Sequence, residues 1–374
     1  MTANHCLKIC SLVLAALYFG FASISSASAG NYLIDTNSRA WTNVDLAVLG
    51  GDVGGGFPNV DISNVYAVDI NNAGQVTGSF TRGPAPVGFF TGPNGAGVTT
   101  IEDIWWNWLS AINNIGQVAG QSRFGSAFFT GPNGVGITHT GLDFSAIADI
   151  NDSGQVTGSY FSSSGFRSFI TGPGGVGVRD LGTLGGRDSF PNAINNAGQV
   201  AGESETADFH HHAFITGPDG VGIRDLGTLG GDLSSAHDIN DTGEVVGSFT
   251  AGGAQHAFIT GPNGMEMRDL GTLGGHESFA DGINNAGQVA GWAETATGAM
   301  HAFITGPHGV GMIDLNSLVS LPAGVILTSA VAINDHGQVL VHAIPEPQTY
   351  ALMLAGLGLV GFAARRKKIE NRLV

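Results

Sequence analysis

Residues 236–275 read AHDINDTGEVVGSFTAGGAQHAFITGPNGMEMRDLGTLGG, and this stretch holds one complete unit of an internal repeat. Four short runs rich in apolar residues alternate with segments rich in Gly, Asn and Asp, which are typical of turns. Turns that recur about every 8 to 12 residues are typical of all-β folds. The stretch therefore predicts four short antiparallel strands.

One motif, I-N-(N/D)-x-G-(Q/E)-V, identifies seven copies of this unit. The copies are 38 to 50 residues apart and begin at Ile70, Ile112, Ile150, Ile194, Ile239, Ile283 and Ile333. In the GEVVGSF segment, Val246 alternates with Val245 and Phe249, so both faces of the predicted strand carry apolar side chains. Such a sheet must be covered on both sides, as neighbouring propeller blades cover each other.

The two ends of the repeat region are complementary halves of one unit. Residues 32–36 and 44–51 match the third and fourth strands and precede the first motif, whereas residues 337–343 match a second strand with no third strand after it. Such halves can complete one blade and close a ring. The 315 residues of 30–344 average 45 per copy, and propeller blades have about 40 to 45. We therefore predict an all-β, seven-bladed β-propeller of four-stranded repeats, with one blade formed by the N- and C-terminal strands.

The first 29 residues predict a cleaved signal peptide. Lys8 precedes an apolar run at 12–21, and the small residues 27–29 fit the rule for signal peptidase. Both cysteines, Cys6 and Cys10, lie in this segment. The mature chain would therefore have neither disulfides nor thiolate chemistry.

Residues 345–374 predict a sorting segment that is transiently held in the membrane. An apolar run of 15 residues, 350–364, separates two conspicuous groups, Pro345, Glu346 and Pro347 before it and a basic cluster starting with Arg365 and Arg366 after it. Because a transmembrane helix needs about 20 apolar residues, the run is a marginal membrane stop. The basic cluster would stay on the cytoplasmic side.

These parts, in this order, resemble the PEP-CTERM sorting signal of Gram-negative bacteria. The resemblance implies cleavage near Pro345 to Pro347 by an exosortase, in organisms that make extracellular polysaccharide. We expect signal peptidase and exosortase as processing partners. The protein would be exported, tethered briefly in the inner membrane, and then passed to the cell surface or the extracellular space.

The repeats resemble the HAF family of extracellular repeats. The resemblance rests on the His-Ala-Phe triplets that start at His212, His256 and His301 and on the DLGTLGG segments at 180–186, 225–231 and 269–275. The first three copies depart from it, with GFF, AFF and SFI in place of HAF. The family implies an extracellular setting and no reaction.

The repeat region is strongly acidic. Residues 30–344 include 28 Asp and Glu against 8 Arg and no Lys, which gives a net charge of −20. Because proteins that bind nucleic acid or anionic membranes carry basic surfaces, we expect neither as a partner. An anionic glycan would need divalent cations as a bridge.

Two motif copies resemble the start of a calcium loop, with side-chain oxygens at positions 1, 3 and 5 before a glycine. The candidate ligands are Asp149, Asn151, Asp238 and Asn240. The other copies break this pattern, and no bidentate acidic residue follows. The alternative is a tight hairpin in which Asn and Gly supply local hydrogen bonds and positive φ. We expect no resident cofactor, with calcium as the alternative.

The histidines predict no metal site. His210, His211 and His212 are adjacent, and successive residues of a strand point to opposite faces, so the three cannot turn to one ion. We interpret His212, His256 and His301 as one repeated blade position.

A cluster of tryptophans interrupts the repeat pattern. Trp105, Trp106 and Trp108 lie where other copies carry the glycines of GTLGG. On an exposed loop they could stack on sugar rings. The alternative is that they fill volume left by a loop that is shorter than in the other copies. Trp41 and Trp292 are isolated and predict core or surface positions.

No nucleophile elbow, phosphate loop or His-Glu-x-x-His motif occurs, and we predict no catalytic residues. Three functions stay open. The leading one is a secreted, surface-sorted protein that binds extracellular polysaccharide or other matrix proteins. The second is a purely structural component of the biofilm matrix, and the third is a polysaccharide hydrolase or lyase on a propeller scaffold. An enzyme should gather several unique polar residues at one end of the channel.

Overall fold

The protein is a seven-bladed β-propeller. The computed structural model describes residues 30–44, 62–82, 85–101, 107–122, 126–142 and 145–345. Seven separate four-stranded antiparallel sheets form the blades. Residues 30–320 and 327–343 form one compact unit; of the second unit, the structure describes only residues 321–326, 344 and 345. The predicted fold class is therefore confirmed, whereas the boundaries of the signal peptide and of the sorting segment stay predictions.

The strands are numbered β1 to β28 in chain order, and blades 1 to 6 each use four consecutive strands. Blade 1 contains β3 Ile62–Ile70, β4 Val76–Arg82, β5 Ala85–Thr91 and β6 Val98–Thr100; blade 2 contains β7 Asn107–Ile112, β8 Val118–Ser122, β9 Ala127–Thr130 and β10 Ile137–His139; blade 3 contains β11 Ser145–Ile150, β12 Val156–Ser162, β13 Gly165–Thr171 and β14 Val178–Gly182. Blade 4 contains β15 Gly185–Ile194, β16 Val200–Thr206, β17 His211–Thr216 and β18 Ile223–Gly227; blade 5 contains β19 Ser234–Ile239, β20 Val245–Ala251, β21 Ala254–Gly261 and β22 Met265–Gly271; blade 6 contains β23 Gly274–Ile283, β24 Val289–Thr295, β25 Met300–Thr305 and β26 Met312–Asp314.

Blade 7 joins the two ends of the repeat region. It contains β27 Val325–Ile333, β28 Gln338–Pro345, β1 Gly30–Asp35 and β2 Ala40–Asn43, in the order β2-β1-β28-β27. Gly30 to Asp35 pair with Ala343 to Gln338 in antiparallel register. The predicted closure is confirmed. The predicted fourth strand at 44–51 is wrong in position, because β2 ends at Asn43 and residues 45–61 lie outside the described ranges.

Short 3₁₀ turns follow the third strand of the first six blades, and a seventh follows β26. They are Pro93–Gly95, Pro132–Gly134, Pro173–Gly175, Pro218–Gly220, Pro262–Gly264, Pro307–Gly309 and Leu315–Ser317. The proline presets φ at the first position of the turn. The second residue has a positive φ in each of the first six, for example 53° at Asn263, which explains the Asn, Asp or Gly that usually stands there.

Each blade contributes one fully buried phenylalanine from its third strand, except blade 7. These side chains have 0% exposure: Phe89, Phe128, Phe169, Phe214, Phe258 and Phe303. The burial of Phe258 agrees with the alternation of apolar residues in the HAFIT segment of its strand. A glycine in the second strand makes this packing possible: a Cβ at Gly247 would lie 2.0 Å from the Ser235 carbonyl oxygen and 3.0 Å from the Phe258 ring. Glycine is required there because the strands approach closely at a bulge.

Candidate functional site

The asparagines of the repeat motif tie the seven blades into a ring. Each donates its Nδ2–H to the backbone oxygen of the equivalent asparagine in the next blade, at 2.9–3.1 Å. The last bond runs from Asn334 of blade 7 to Asn71 of blade 1, 263 residues away in sequence. Since the motif follows the first strand of every blade, the first strands surround the central channel.

The next residue of the motif forms a second ring. Its members are Asn72, Asn114, Asp152, Asn196, Asp241, Asn285 and Asp335, and each backbone N–H donates to the side chain of the following member at 2.8–3.0 Å. Amide and carboxylate alternate, so Asn Nδ2–H groups donate hydrogen bonds to Asp oxygens, as between Asn285 and Asp335 at 3.0 Å. Seven is odd, and the alternation fails between Asn72 and Asn114. The N/D choice in the motif is therefore a charge pattern of the assembled ring.

The residues of both rings line a cavity of about 160 Å³ at this end of the channel, together with three aspartates. Asp69, Asp149 and Asp238 precede the motif isoleucine in blades 1, 3 and 5. Each accepts one backbone N–H from its own blade and one from the next; for Asp238 these come from Ile239 at 2.7 Å and Ile283 at 2.8 Å. The aspartates thus link blades in pairs.

The three channel aspartates hold protons more tightly than free carboxyl groups do. Burial raises the pKa of Asp69 to about 6 and that of Asp238 to about 7, against the opposing effect of their backbone hydrogen bonds. Burial also raises the pKa of Asp149 well above its usual value, and repulsion from the other two carboxylates adds to this. A shift of this kind marks a group that folding places in an unfavourable environment for charge.

The calcium candidates Asp149, Asn151, Asp238 and Asn240 lie at this end of the channel. The oxygens of Asp149 and Asp238 accept backbone N–H bonds. Oδ1 of Asn151 accepts from the N–H groups of Ser153 and Gln155, as the hairpin alternative requires, and Asn240 repeats this arrangement. Within the described ranges, no three His, Cys, Asp or Glu side chains converge as metal ligands would. Calcium binding stays an untested alternative to the absence of a resident cofactor.

One register position on the first strands, which surround the channel, carries an aromatic residue in four of the seven blades. It lies four residues before the motif isoleucine, on the first strand, and is occupied by Tyr66, Trp108, Ala146, Phe190, Ser235, Phe279 and Ser329 in blades 1 to 7. Tyr66 is 59% exposed and Trp108 is 42% exposed. We call Tyr66, Trp108, Phe190 and Phe279 the aromatic ring of the channel.

Trp108 does not lie on a loop, as the sequence predicted, but on strand β7, where it pairs with Gln121. Its side chain is 42% exposed. Stacking on a ligand and filling of space both stay open for this residue. Trp105 and Trp106 lie outside the described residues. Of the isolated tryptophans, Trp41 contacts Tyr32 edge-on and donates Nε1–H to the Ser320 oxygen.

Trp292, the other isolated tryptophan, extends the aromatic ring. It stacks on Phe279 with ring centroids 4.5 Å apart, and His237 of blade 5 stacks on the same phenylalanine at 6.3 Å. Asp281 lies beside this stack, with Oδ1 3.8 Å from His237 Nδ1. Burial raises the pKa of Asp281 to about 7. Burial also lowers the pKa of His237, against the opposing effects of the Ala280 oxygen and the Glu203 carboxylate.

Beside the channel, a cavity of about 330 Å³ opens between blades 4 and 5. Strands β16 and β17 contribute Glu203 and His211, and β19 to β21 contribute Ser235, Ser248 and Gln255. Sequence reasoning missed this cavity and the groups around it. The available signal was departure from the repeat: the residue after the second-strand glycine is Ser79, Gln121, Ser159, Glu203, Ser248 and Trp292 in blades 1 to 6.

The repeated histidines pair with the aspartates of the DLG segments. Nδ1 of His212, His256 and His301 lies 2.7–2.9 Å from Asp225, Asp269 and Asp314 respectively. The prediction of one repeated blade position is confirmed. Arg167 and Asp180 take the same roles in blade 3. These pairs join the third and fourth strands within one blade, which is a structural use.

Comparison with known families matches residues 343–367 to the PEP-CTERM protein-sorting motif. Apart from Ala343, Ile344 and the backbone of Pro345, this segment lies outside the described residues, as do Glu346, Pro347, Arg365 and Arg366. No helix in the described part of the chain is long and apolar enough to cross a membrane. The apolar run at 350–364 is not in that part. The resemblance of the repeats to the HAF family stays a prediction.

No curated protein matches the sequence. Among solved structures, a puromycin hydrolase mutant complexed with PGG is similar over 81% of this chain, at 14% identity and a TM-score of 0.53. Dipeptidyl peptidase 4 from Porphyromonas gingivalis is similar over 84%, at 9% identity and a TM-score of 0.52. This chain spans 52% and 58% of those two chains.

A putative TolB from Agrobacterium tumefaciens is similar over 85% of this chain and 99% of its own, at 9% identity and a TM-score of 0.48. Similarities at these identities concern the fold alone. The chain is therefore a seven-bladed β-propeller whose C-terminal sorting motif marks it as an exported protein that is processed at the membrane by an exosortase.

Proposed function

We propose that this propeller is a surface-sorted binding protein of the extracellular matrix. It holds polysaccharide by stacking sugar rings on the two exposed members of the aromatic ring of the channel, Tyr66 and Trp108. The observation that carries the proposal is the shared register of Tyr66, Trp108, Phe190 and Phe279. Aromatic faces offer large apolar contact area, and in Tyr and Trp a polar group beside it. Two of the four side chains are more than 40% exposed, which is unusual for groups on an inner strand.

The polar groups near the aromatic ring suit a sugar ligand. His237 of blade 5 stacks on Phe279, and Asp281 lies on the same strand as Phe279. Pockets for small ligands combine apolar walls with a few placed polar groups. The other end of the channel is lined by Asn and Asp side chains that are hydrogen-bonded to one another. Ligand would therefore enter from the aromatic side.

A glycan array on the purified exported protein, with and without calcium, tests this proposal. We expect retention of at least one polysaccharide and a loss of about fivefold or more in affinity for Trp108→Ala, because contact with one aromatic face contributes on the order of 1 kcal/mol. The matched control is Trp41→Ala, which removes an equally exposed tryptophan from the outermost strand of blade 7. Equal losses in both variants, or no binding by the wild type, would contradict the proposal.

The second candidate is a polysaccharide hydrolase or lyase, and Asp281 favours it. A carboxyl group with a pKa near 7 is suited to donate a proton at neutral pH. A second carboxylate, Glu203 of blade 4, lies close enough to His237 to oppose the lowering of the His237 pKa. Release of reducing ends or unsaturated products from a bound polysaccharide would support it. The expected control is the loss of that release in Asp281→Asn with binding retained.

Sorting is tested separately at the C-terminus. We propose that Pro345, Glu346 and Pro347 mark the cleavage region, so that replacing all three with alanine traps full-length protein in the inner membrane and leaves the propeller folded. Membrane fractionation and intact-mass measurement distinguish the full-length protein from the protein cleaved near Pro345. Mature surface protein that still contains Arg365 and Arg366 would show that the segment is a permanent anchor.

A further inference from the structure

The cavity between blades 4 and 5 exists because two side chains of the repeat are small. In blade 6, Phe279 on the first strand pairs with Trp292 on the second strand, and the two rings stack. In blade 5 the same two positions are Ser235 and Ser248, which also pair directly. Both serines line the cavity of about 330 Å³. The neighbouring blade therefore shows which side chains would fill this space within the same fold.

The cavity wall contributed by blade 4 carries a carboxylate and an imidazole that are not bonded to each other. Glu203 Oε1 lies 3.6 Å from His211 Nδ1, beyond hydrogen-bond distance. His211 Nδ1 is buried and has no hydrogen-bond partner among the described residues. The side chains of Glu203 and His211 are nevertheless 32% and 38% exposed. A ligand in the cavity can therefore reach both groups.

The charge of the cavity restricts what it can bind. Its described lining contains one carboxylate and neither Arg nor Lys, and the remaining polar groups include the Thr250 hydroxyl and the Gln255 amide. The repeat region around it has a net charge of −20. An acidic ligand would place its own carboxylate near Glu203 with no cation to compensate, whereas hydroxyl or ammonium donors would be stabilised there.

We propose that this cavity is a sugar-binding pocket specific for a hexose-sized unit with hydroxyl or ammonium donors and without an acid group. Its volume is at the lower end of the about 300–1,000 Å³ that is typical of small-ligand sites, so it fits one or two sugar rings. Glu203 accepts donors from the sugar, His211 supplies the second polar contact, and the buried Phe249 ring contributes apolar wall. This inference rests on the proposed polysaccharide binding and names its sugar class.

Titration of the exported protein with glucosamine, glucose and glucuronate, followed by saturation-transfer NMR, tests the pocket directly. We expect binding in the order glucosamine, glucose, glucuronate, with glucuronate undetectable. Glu203→Gln should weaken glucosamine binding about tenfold or more, because it removes a charge-assisted hydrogen bond. The matched control is Glu205→Gln on the same strand, which removes the same charge from a side chain bonded to the Arg187 N–H outside the pocket.

A second variant fills the cavity with the residues of blade 6, Ser235→Phe together with Ser248→Trp. It should abolish binding of all three sugars. If it fails to fold, the isosteric Glu203→Gln variant still decides the matter. Unchanged affinity in Glu203→Gln, equal binding of glucuronate, or no sugar binding by the wild type would overturn the pocket. Retention of polysaccharide that depends on Trp108 would then still support the proposed function, so that the two failures are distinguishable.

Discussion

Removing the N-terminal strands of blade 7 should destabilise the whole ring. The variant lacks residues 30–44, which include β1 and β2, so that its mature chain begins at residue 45. Six residue pairs join β1 to β28, and their loss leaves β28 as an unpaired edge in the middle of an otherwise closed structure. Exposed edges of this kind promote aggregation as well as unfolding.

The size of the effect follows from what β1 buries. Tyr32, Leu33 and Ile34 are 4%, 4% and 0% exposed. Burial of one large apolar side chain contributes about 1.5–3 kcal/mol, so the three contribute roughly 5–9 kcal/mol. That sum is comparable with the whole free energy of unfolding of a typical protein, about 5–15 kcal/mol. We therefore expect the variant to be unfolded or aggregated at room temperature.

A circular permutant supplies the control. Gly30 pairs with Ala343, so a short Gly/Ser linker can join Ile344 to Gly30 and place residues 30–44 after the last repeat. This chain has the same missing segment at its N-terminus but an intact blade 7. We expect its urea midpoint, measured by circular dichroism, to restore stability to within about 1 kcal/mol of wild type. A deletion variant as stable as wild type, or a permutant as unstable as the deletion, would refute closure by the terminal strands.

Three further predictions concern single side chains. Phe258→Ala should lower the free energy of unfolding, measured by urea denaturation, by about 3–5 kcal/mol. Phe161→Ala, at a side chain 62% exposed, should change it by no more than about 0.5 kcal/mol. A loss below about 1 kcal/mol for Phe258→Ala would contradict the burial of this ring. Glu244 replaces the glutamine of the other six motifs and lies 2.7 Å from His308 of the next blade, so His308→Asn alone should cost about 1–3 kcal/mol by leaving a buried carboxylate short of a donor. Adding Glu244→Gln should recover most of that loss, and purely additive effects in the double-mutant cycle would show that the two side chains are not coupled. Burial raises the pKa of Asp238 to about 7 from a usual 3.8, so the folded state binds more protons than the unfolded state between these pH values. The resulting contribution to stability is complete below about pH 4 and is lost as the pH rises through 7. The unfolding free energy should therefore fall over that range and fall less in Asp238→Asn, and identical pH profiles of the two proteins would rule out a buried titrating carboxyl group.

The strands and turns of this protein were predictable because each blade is encoded locally. Alternating apolar residues, the turn glycines and the seven copies of the Ile-Asn motif all act over fewer than 50 residues, and they indicate four strands per blade. Half-units at the ends were enough to predict closure. The burial of Phe258 followed from the same alternation. The position of β2 did not, since the short segment Ala40–Asn43 lacks the pattern of the other fourth strands.

The candidate site depends on contacts between blades, which local patterns do not encode. Glu203 and Ser248 are 45 residues apart, and the pair of Glu244 and His308 is separated by 64. In the sequence, Trp108 was one residue of a cluster assigned to a loop, because nothing local showed that a strand begins at Asn107. Its exposure depends on the channel that seven first strands create together.

Ring assembly also gives the motif a meaning that the linear chain does not show. The choice of Asn or Asp after the motif asparagine looks like tolerated variation in one copy. In the closed ring it alternates amide with carboxylate, because each side chain faces its counterparts in the blades on either side. Repeat length and hydrophobic pattern thus determined the fold and its number of blades. Packing alone brings together residues that are a full blade or more apart in sequence, and it thereby creates the channel, the aromatic ring and the pocket.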